Sequence, residues 1–196
     1  MADLPSARLL LASTSPQRRA ILEQLRIPYD TVTPPYEERD PPGADPVELV
    51  RAHAVGKARS ARVAGRVTLG VDTAVHLGSR VYGKPADVSE AARMLRELSG
   101  RTHAVLSGVC LVGPALEVVA HAETAVRFRA LADADVDTYL ASGEWVGRAG
   151  AYAIQGLGGR LVERITGDYL NVVGLPGALL VTLLELHWPN LLAIPR

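Results

Sequence analysis

Apolar and polar positions along the chain switch repeatedly between strand-like and helix-like spacing. Residues 8–12 (Arg-Leu-Leu-Leu-Ala) are a short apolar run, the mark of a buried strand. Ser15-Pro16 then reads as a helix start, with Ser15 as N-cap and Pro16 in the first turn, and the helix is predicted to reach about Leu25. Residues 29–33 alternate as a second strand. Asp45-Pro46-Val47-Glu48 opens another helix, with Glu48 spaced as in a capping box; this helix carries Lys57 and is predicted to end near Gly65. Residues 67–72 read as an apolar strand that ends on a carboxylate, Asp72. Residues 75–77 and 81–82 flank Gly78-Ser79-Arg80 as a hairpin. Ser89 is read as the cap of a helix that Gly100 stops after Leu98. Two long strands over 105–112 and 117–129 precede a helix over 133–141, a strand over 161–165 and a closing amphipathic helix over 175–186.

Two segments break the periodicity. Residues 34–46 hold five prolines (Pro34, Pro35, Pro41, Pro42, Pro46) and read as a loop. Residues 142–160 are glycine-rich and read as another. Asn171–Pro176 is expected to be a loop entering the last helix, with a structural role. Interleaved helices and strands give an α/β class with antiparallel parts in the sheet. Neither repeats nor a linker interrupt the 196 residues, so residues 1–196 are expected to be one domain, divided at most by a cleft between lobes.

Composition narrows the function. Hydrophobic residues make up 48% and charged residues 21%, enough for a core. Lys+Arg and Asp+Glu are both 21, and the pI is about 7.0. That neutrality argues against broad nonspecific nucleic-acid or membrane-surface binding and leaves room for a local basic pocket. The one cysteine, Cys110, excludes an internal disulfide and a Cys-rich zinc site, and its apolar strand makes it a core residue. The first apolar run is too short for a signal peptide, and no stretch approaches the ~20 apolar residues of a membrane span. The cytoplasm is the expected compartment.

Candidate chemistry is concentrated in few places. Only Lys57 and Lys84 are lysines among 21 basic residues, which asks whether a compact ammonium is needed there. Gly78 to Lys84 has the spacing of a phosphate-binding P-loop, but Pro85 stands where that loop needs a hydroxyl for magnesium, so the segment is read as a hairpin. Ser13-Thr14-Ser15-Pro16-Gln17-Arg18-Arg19 follows a strand and opens a helix; its free N–H groups, hydroxyls and Arg18 suit an anion, or simply a well-capped helix. Asp72 at a strand end could bind a metal, accept a proton or form a turn. Glu37-Glu38 in the proline-rich loop are a solvated pair unless one is supplied opposite Asp72, which would complete a magnesium site. The five histidines lack metal-binding spacing, Trp145 and Trp188 are too isolated to stack bases, and there is no Gly-x-Ser-x-Gly. Gln155 among Gly150, Gly156, Gly158 and Gly159 reads as a buried amide suited to a nucleobase edge, or as a turn residue bonded to its own loop.

Seven segments taken in order resemble the Maf family of nucleoside triphosphate pyrophosphatases. They are Ala12-Ser13-Thr14-Ser15-Pro16-Gln17-Arg18-Arg19, Lys57-Ala58, Val71-Asp72-Thr73, Gly83-Lys84-Pro85, Leu98-Ser99-Gly100-Arg101-Thr102-His103, Ala149-Gly150-Ala151-Tyr152-Ala153-Ile154-Gln155-Gly156 and Val172-Val173-Gly174-Leu175-Pro176. The resemblance implies a mixed twisted central sheet with flanking helices and two lobes around a nucleotide-binding cleft, similar to inosine triphosphatases. It implies hydrolysis of a nucleoside triphosphate to the monophosphate and pyrophosphate, cleansing the nucleotide pool, with Mg²⁺ or Mn²⁺ as cofactor. Asp72 would be the proton acceptor, and Ser13, Ser15, Arg18, Lys57 and Lys84 would bind the triphosphate. Glu38 and Asp72 would hold the metal, and Gln17, Thr73 and Gln155 would choose the base. The Asp-Thr and Ile-Gln-Gly pairings resemble the subgroup acting on dTTP and UTP, although Gln17 stands where that subgroup usually carries Arg. The implied partner is the nucleotide, not a nucleic acid or membrane, and a homodimer is compatible with the resemblance. The competing reading is a non-catalytic nucleotide- or nucleic-acid-binding regulator of septum formation, and intact Asp72, Lys57 and Lys84 speak against it.

Overall fold

The computed structural model describes residues 8–41 and 43–192; of the five loop prolines, Pro42 lies outside them. The described strands are β1 (Leu9–Ala12), β2 (Tyr29–Val32), β3 (Thr68–Leu77), β4 (Arg80–Tyr82), β5 (Thr102–Val112), β6 (Glu117–Phe128) and β7 (Val162–Thr166). They form one mixed sheet in the order β2-β1-β3-β5-β6-β7, with β4 paired to β3. β1 runs parallel to β2 and β3, and the remaining pairings are antiparallel. The helices are α1 (Pro16–Gln24), α2 (Pro46–Ser60), α3 (Val88–Leu98), α4 (Asp133–Ala141), α5 (Tyr169–Val173) and α6 (Gly177–His187).

One face of the sheet is covered by α2. Ala54 and Ala58 pack against Cys110, and Val50 packs on Leu106 and Ala74. The approach is close because β3 and β5 offer glycines beneath the helix. A Cβ on Gly70 would lie 2.1 Å from the Ala54 carbonyl oxygen, and one on Gly108 would lie 2.2 Å from that of Val50.

The other face carries two separate groups of helices. Leu69, Val71, Val109 and Leu111 pack with Ile21 and Leu22 of α1 and Leu180 and Leu184 of α6. Val75, Val105, Val126 and Phe128 pack with Met94, Leu95 and Leu98 of α3 and with Val136 and Tyr139 of α4. Each such buried side chain contributes about 1.5–3 kcal/mol relative to exposure. Thr73 falls between Val71 and Val75 on the same face by strand alternation, and the two groups part over it. That parting is the floor of the cleft.

Several predicted boundaries move. β3 does not end at Asp72; it runs on to Leu77, because β5 pairs with it from Thr68 through His76. What ends is β1, whose register on β3 covers Leu10↔Thr68 and Leu11↔Leu69, so Asp72 stands mid-strand beyond the carboxyl end of its parallel neighbour. α2 stops at Ser60 rather than near Gly65, as two turns closed by Arg62 N–H on Arg59 and Arg66 N–H on Val63 carry the chain back to the sheet. Asp45 caps α2 through Val47 and Glu48 N–H, while the Glu48 side chain pairs with Arg51 instead of closing a capping box. The cap of α3 is Asp87, not Ser89; its carboxylate accepts from Glu90 N–H at 2.8 Å. Residues 171–176 are not all loop: Asp168 caps the short helix α5, Gly174 at φ 131° ends it, and the closing helix begins at Gly177 rather than Leu175.

Candidate active site

A cleft of about 430 Å³ opens between the β1–α1 turn, the loop after β2, the start of the chain after β4, and the glycine-rich segment. Its size suits a small organic ligand. Ser13, Ser15, Gln17, Arg18, Glu38, Lys57, Thr73, Lys84 and Gln155 all line it. Asp72 alone among the predicted site residues lies behind this lining, with 14% of its side chain exposed.

Arg18 organises the first wall. Its Nε donates to the Gly174 carbonyl at 3.0 Å, one terminal nitrogen to Ser13 Oγ at 3.2 Å and the other to Thr73 Oγ1 at 3.4 Å. Thr73 in turn shares a 2.9 Å hydrogen bond with Ser107 Oγ on β5. Ser15 caps α1 by accepting from Arg18 N–H, and its hydroxyl donates to Gln17 Oε1 at 3.2 Å. Burial pushes the Arg18 pKa down, opposed by the charges of Asp72 and Glu38; a guanidinium stays charged regardless. The result is a fixed positive centre at a helix N-terminus.

The second centre is Lys57. Its Nζ lies 2.5 Å from Glu38 Oε1 and 2.6 Å from Asp72 Oδ1, with the Val71 carbonyl at 3.4 Å. α2 supplies the lysine, β3 the buried acid and the proline-rich loop the exposed one. Burial works to raise the Glu38 carboxyl, but the hydrogen bond and charge of Lys57, helped by Lys84, outweigh it and hold the pKa below the usual carboxylate value. Glu38 is therefore ionised at neutral pH.

The far wall is more open. Lys84 is exposed at the cleft just beyond β4. Gln155 is exposed as well, not buried as expected, because the segment turns it out of the core that holds Ala151, Tyr152 and Ala153. Arg148, which the sequence reading passed over, also lines the cleft, and its Nε is buried without a hydrogen-bond partner. An arginine directly before the glycine-rich matching segment was the available signal. Ser107 was also missed; a hydroxyl inside the continuous apolar run of β5 was its signal. Around the cleft, Arg18, Lys57, Lys84 and Arg148 face Glu38 and Asp72, leaving an excess of positive charge for an anionic ligand.

Among the described residues no group of three or more His, Cys, Asp or Glu forms a metal cage. The oxygen donors of Glu38 and Asp72 converge instead on a single cationic point, held by the Lys57 ammonium. Two hard carboxylates are the donor set of a magnesium site completed by substrate phosphates and water, so these residues fit a divalent ion. Elsewhere, Cys110 is buried in β5 with its thiol pushed up to about 12 by burial, an inert core residue. No helix among the described residues is long and apolar enough to cross a membrane.

Sheet, cleft and ion cluster define an α/β protein with a cation-rich cleft over the parting between two helix groups. The chain belongs to the Maf family: the family's profile, described as Maf-like protein, matches residues 8–187. The dTTP/UTP pyrophosphatase of Symbiobacterium thermophilum is 47% identical over 171 residues, covering 86% of this chain and 88% of that one. The dTTP/UTP pyrophosphatase of Gloeobacter violaceus is 45% identical over 91% of this chain and 95% of its own, and that of Anaeromyxobacter dehalogenans is 48% identical over 91% and 93%.

Proposed function

We propose that this protein is a two-lobed nucleoside triphosphate pyrophosphatase that hydrolyses dTTP and UTP to the monophosphate and pyrophosphate. The observation that carries the reading is Lys57, fixed between Glu38 and Asp72 beside a cleft rich in Arg and Lys, in a chain whose relatives at 45–48% identity bear the name dTTP/UTP pyrophosphatase. A triphosphate carries close to four negative charges, and this neutral chain concentrates its cations where such a group would lie.

In this reading Ser13, Ser15 and Arg18 receive phosphate oxygens at the α1 N-terminus, Lys84 follows them as a mobile point charge, and Lys57 adds its charge from between the two carboxylates. Glu38 and Asp72 would hold Mg²⁺ or Mn²⁺. When bound, the divalent ion supplies charge neutralisation for the departing pyrophosphate. A water attacks the α-phosphorus: its oxygen bonds to phosphorus, the bond to the bridging β-phosphate oxygen breaks, and pyrophosphate leaves. Asp72, 2.6 Å from the Lys57 ammonium, accepts the water's proton. Positioning and electrostatics supply most of the acceleration. Thr73 and Gln155 face the base, Gln17 beside them. The cytoplasm is the proposed location. Pyrophosphate release from each nucleotide with Mg²⁺ or Mn²⁺ tests the reading; no release from any, modified ones included, would bring forward the competing reading of a non-catalytic regulator.

A further inference from the structure

Glu38 reaches the site from a loop with little of its own to hold it. Glu37, Glu38, Arg39 and Asp40 are all exposed, and the loop carries no secondary structure from Thr33 to Pro41. The Glu38–Lys57 contact is a weak anchor, because the carboxylate is 46% exposed and shares the ammonium with Asp72. Something else must fix the loop if Glu38 is to stand in one place.

His53 occupies that position. It is 3% exposed on α2, one helical turn before Lys57, so both side chains rise from the same face of the helix. Its Nδ1 lies 3.0 Å from the Tyr36 hydroxyl and its Nε2 2.8 Å from Asp40 Oδ1. Nε2–H donates to the Asp40 carboxylate, and Nδ1 shares a hydrogen bond with the Tyr36 hydroxyl. Tyr36 and Asp40 flank Glu38 by two residues on either side. In an extended segment residues 36, 38 and 40 face the same way, here onto α2. The Tyr36 ring also sits against Gly56, where an added Cβ would lie 2.1 Å from Tyr36 Cε2. Two bonds to one buried imidazole thus grip the loop on both sides of Glu38, and a glycine seats the ring that makes one of them.

We propose that His53 is a positioning residue: through Tyr36 and Asp40 it clamps the loop onto α2 and presents the Glu38 carboxylate to Lys57 and Asp72. The inference builds on the proposed reaction but makes a claim about the loop that stands apart from it. Removing such an outer partner of a ligand carboxylate typically costs ~10–100-fold in activity. The loss should appear in kcat, because the α1 wall that receives phosphates stays intact, so KM should change by less than about threefold.

The test has two arms, using His53→Leu together with Tyr36→Phe and Asp40→Ala, single-bond deletions at less buried positions that do not endanger folding. In the first arm, ¹⁵N backbone relaxation is measured in the ligand-free protein. Order parameters across residues 36–40 should fall below about 0.6 in each variant while β5 stays near about 0.85. Unchanged order parameters in Tyr36→Phe and Asp40→Ala overturn the clamp, whatever the enzyme does. In the second arm, kcat and KM for UTP are measured for His53→Leu alone and combined with Glu38→Gln. If His53 acts through Glu38, its loss adds less than about twofold once Glu38 is gone. Fully multiplicative losses overturn the positioning role. A wild-type protein that releases no pyrophosphate sinks the proposed function, and the relaxation arm still decides the clamp.

Discussion

The ammonium of Lys57 sits 2.6 Å from Asp72 Oδ1, and only 11% of the lysine and 14% of the aspartate side chain are exposed. Two opposite charges this close, and this poorly solvated, depend on each other far more than a surface pair does. Glu38 adds a second carboxylate to the same nitrogen at 2.5 Å. The arrangement sets different expectations for each member.

Asp72→Asn should lower kcat by ~10²–10⁴-fold while nucleotide binding survives, because the isosteric amide keeps the shape but removes the base and its charge. Lys57 retains Glu38 as a partner, so the fold should hold. Steady-state kinetics beside nucleotide titration checks this; retention of more than about a tenth of the wild-type kcat contradicts the role.

The two lysines should respond differently to arginine. Lys57 reaches two carboxylates from inside the protein, and a planar guanidinium has no room to place itself between them. Lys57→Arg should cost at least ~10²-fold in kcat/KM. Lys84 is exposed at the cleft, so Lys84→Arg should cost only several-fold, mostly in KM. Equal, wild-type-like kinetics for both would make the scarcity of lysine in this chain a matter of composition alone.

Much of this site was legible in the sequence because its parts depend on local chemistry. Ser15-Pro16 specified the start of α1, and the Asp45 cap fixed the start of α2. The matching segments supply eight of the nine candidate residues that line one cleft, and the proline-rich loop supplies the ninth, Glu38. What could not be read was set by distant pairing. Asp is a poor strand residue, so the apolar run seemed to end at Asp72; β5 and the Lys57 charge keep it inside β3. Ser89 looked like a cap because hydroxyls often are, yet Asp87 with its fuller charge took the role. His53 carried no motif at all. Its function depends on Tyr36 and Asp40, 17 and 13 residues away along the chain.

Gly70 joins packing to the site. A methyl group there meets backbone atoms, the Ala54 carbonyl oxygen at 2.1 Å and Ala58 N at 2.6 Å, which cannot swing aside as a side-chain tip does. Gly70→Ala should therefore lift α2 from the sheet and destabilise the protein by ~1–3 kcal/mol or more. Because α2 carries Lys57, kcat should fall as well. Denaturant unfolding of the variant against wild type measures the first effect, and a stability within about 0.5 kcal/mol of wild type would show that the helix accommodates the change.

His103 predicts a pH dependence. It is 2% exposed, its Nε2 bonds the Tyr152 hydroxyl at 2.9 Å, and its Nδ1 is buried without a partner. Burial, with a smaller push from His76, lowers its pKa to about 4. The unfolded chain takes up this proton as pH falls through ~6.5, while the folded protein resists until about 4. Stability from the neutral ring is thus present above pH ~6.5, is lost as pH falls to about 4, and levels off below. The integrated loss is about 3 kcal/mol. The variant His103→Gln should remove that slope, so the stability difference between wild type and variant should shrink by this amount from pH 7 to pH 4. A pH-independent difference would mean that His103 is protonated normally in the folded state.

The base is the most exposed expectation. UTP and dTTP should be hydrolysed in preference to CTP, ATP and GTP. Gln155 lines the cleft with its amide open to solvent, and an amide offers one acceptor and two donors to the carbonyl and N–H edge of uracil or thymine. Gln17 stands where the pyrimidine subgroup usually carries arginine, but its Oε1 already accepts from the Ser15 hydroxyl. Its N–H donors are free to meet the O4 carbonyl of uracil and thymine, while the oxygen that would accept from the amino group of cytosine is already partly engaged. Each mismatched polar contact left unpaired costs ~1–3 kcal/mol, or roughly 10–100-fold. Gln155→Ala should therefore lose about that factor in kcat/KM for UTP while changing ATP little, narrowing the ratio between them. A side-by-side panel of UTP, dTTP, CTP, GTP, 7-methyl-GTP and ATP decides it. A purine nucleotide at the head of that panel would overturn the roles given to Gln155 and Gln17 and leave the triphosphate chemistry of Lys57, Glu38 and Asp72 standing.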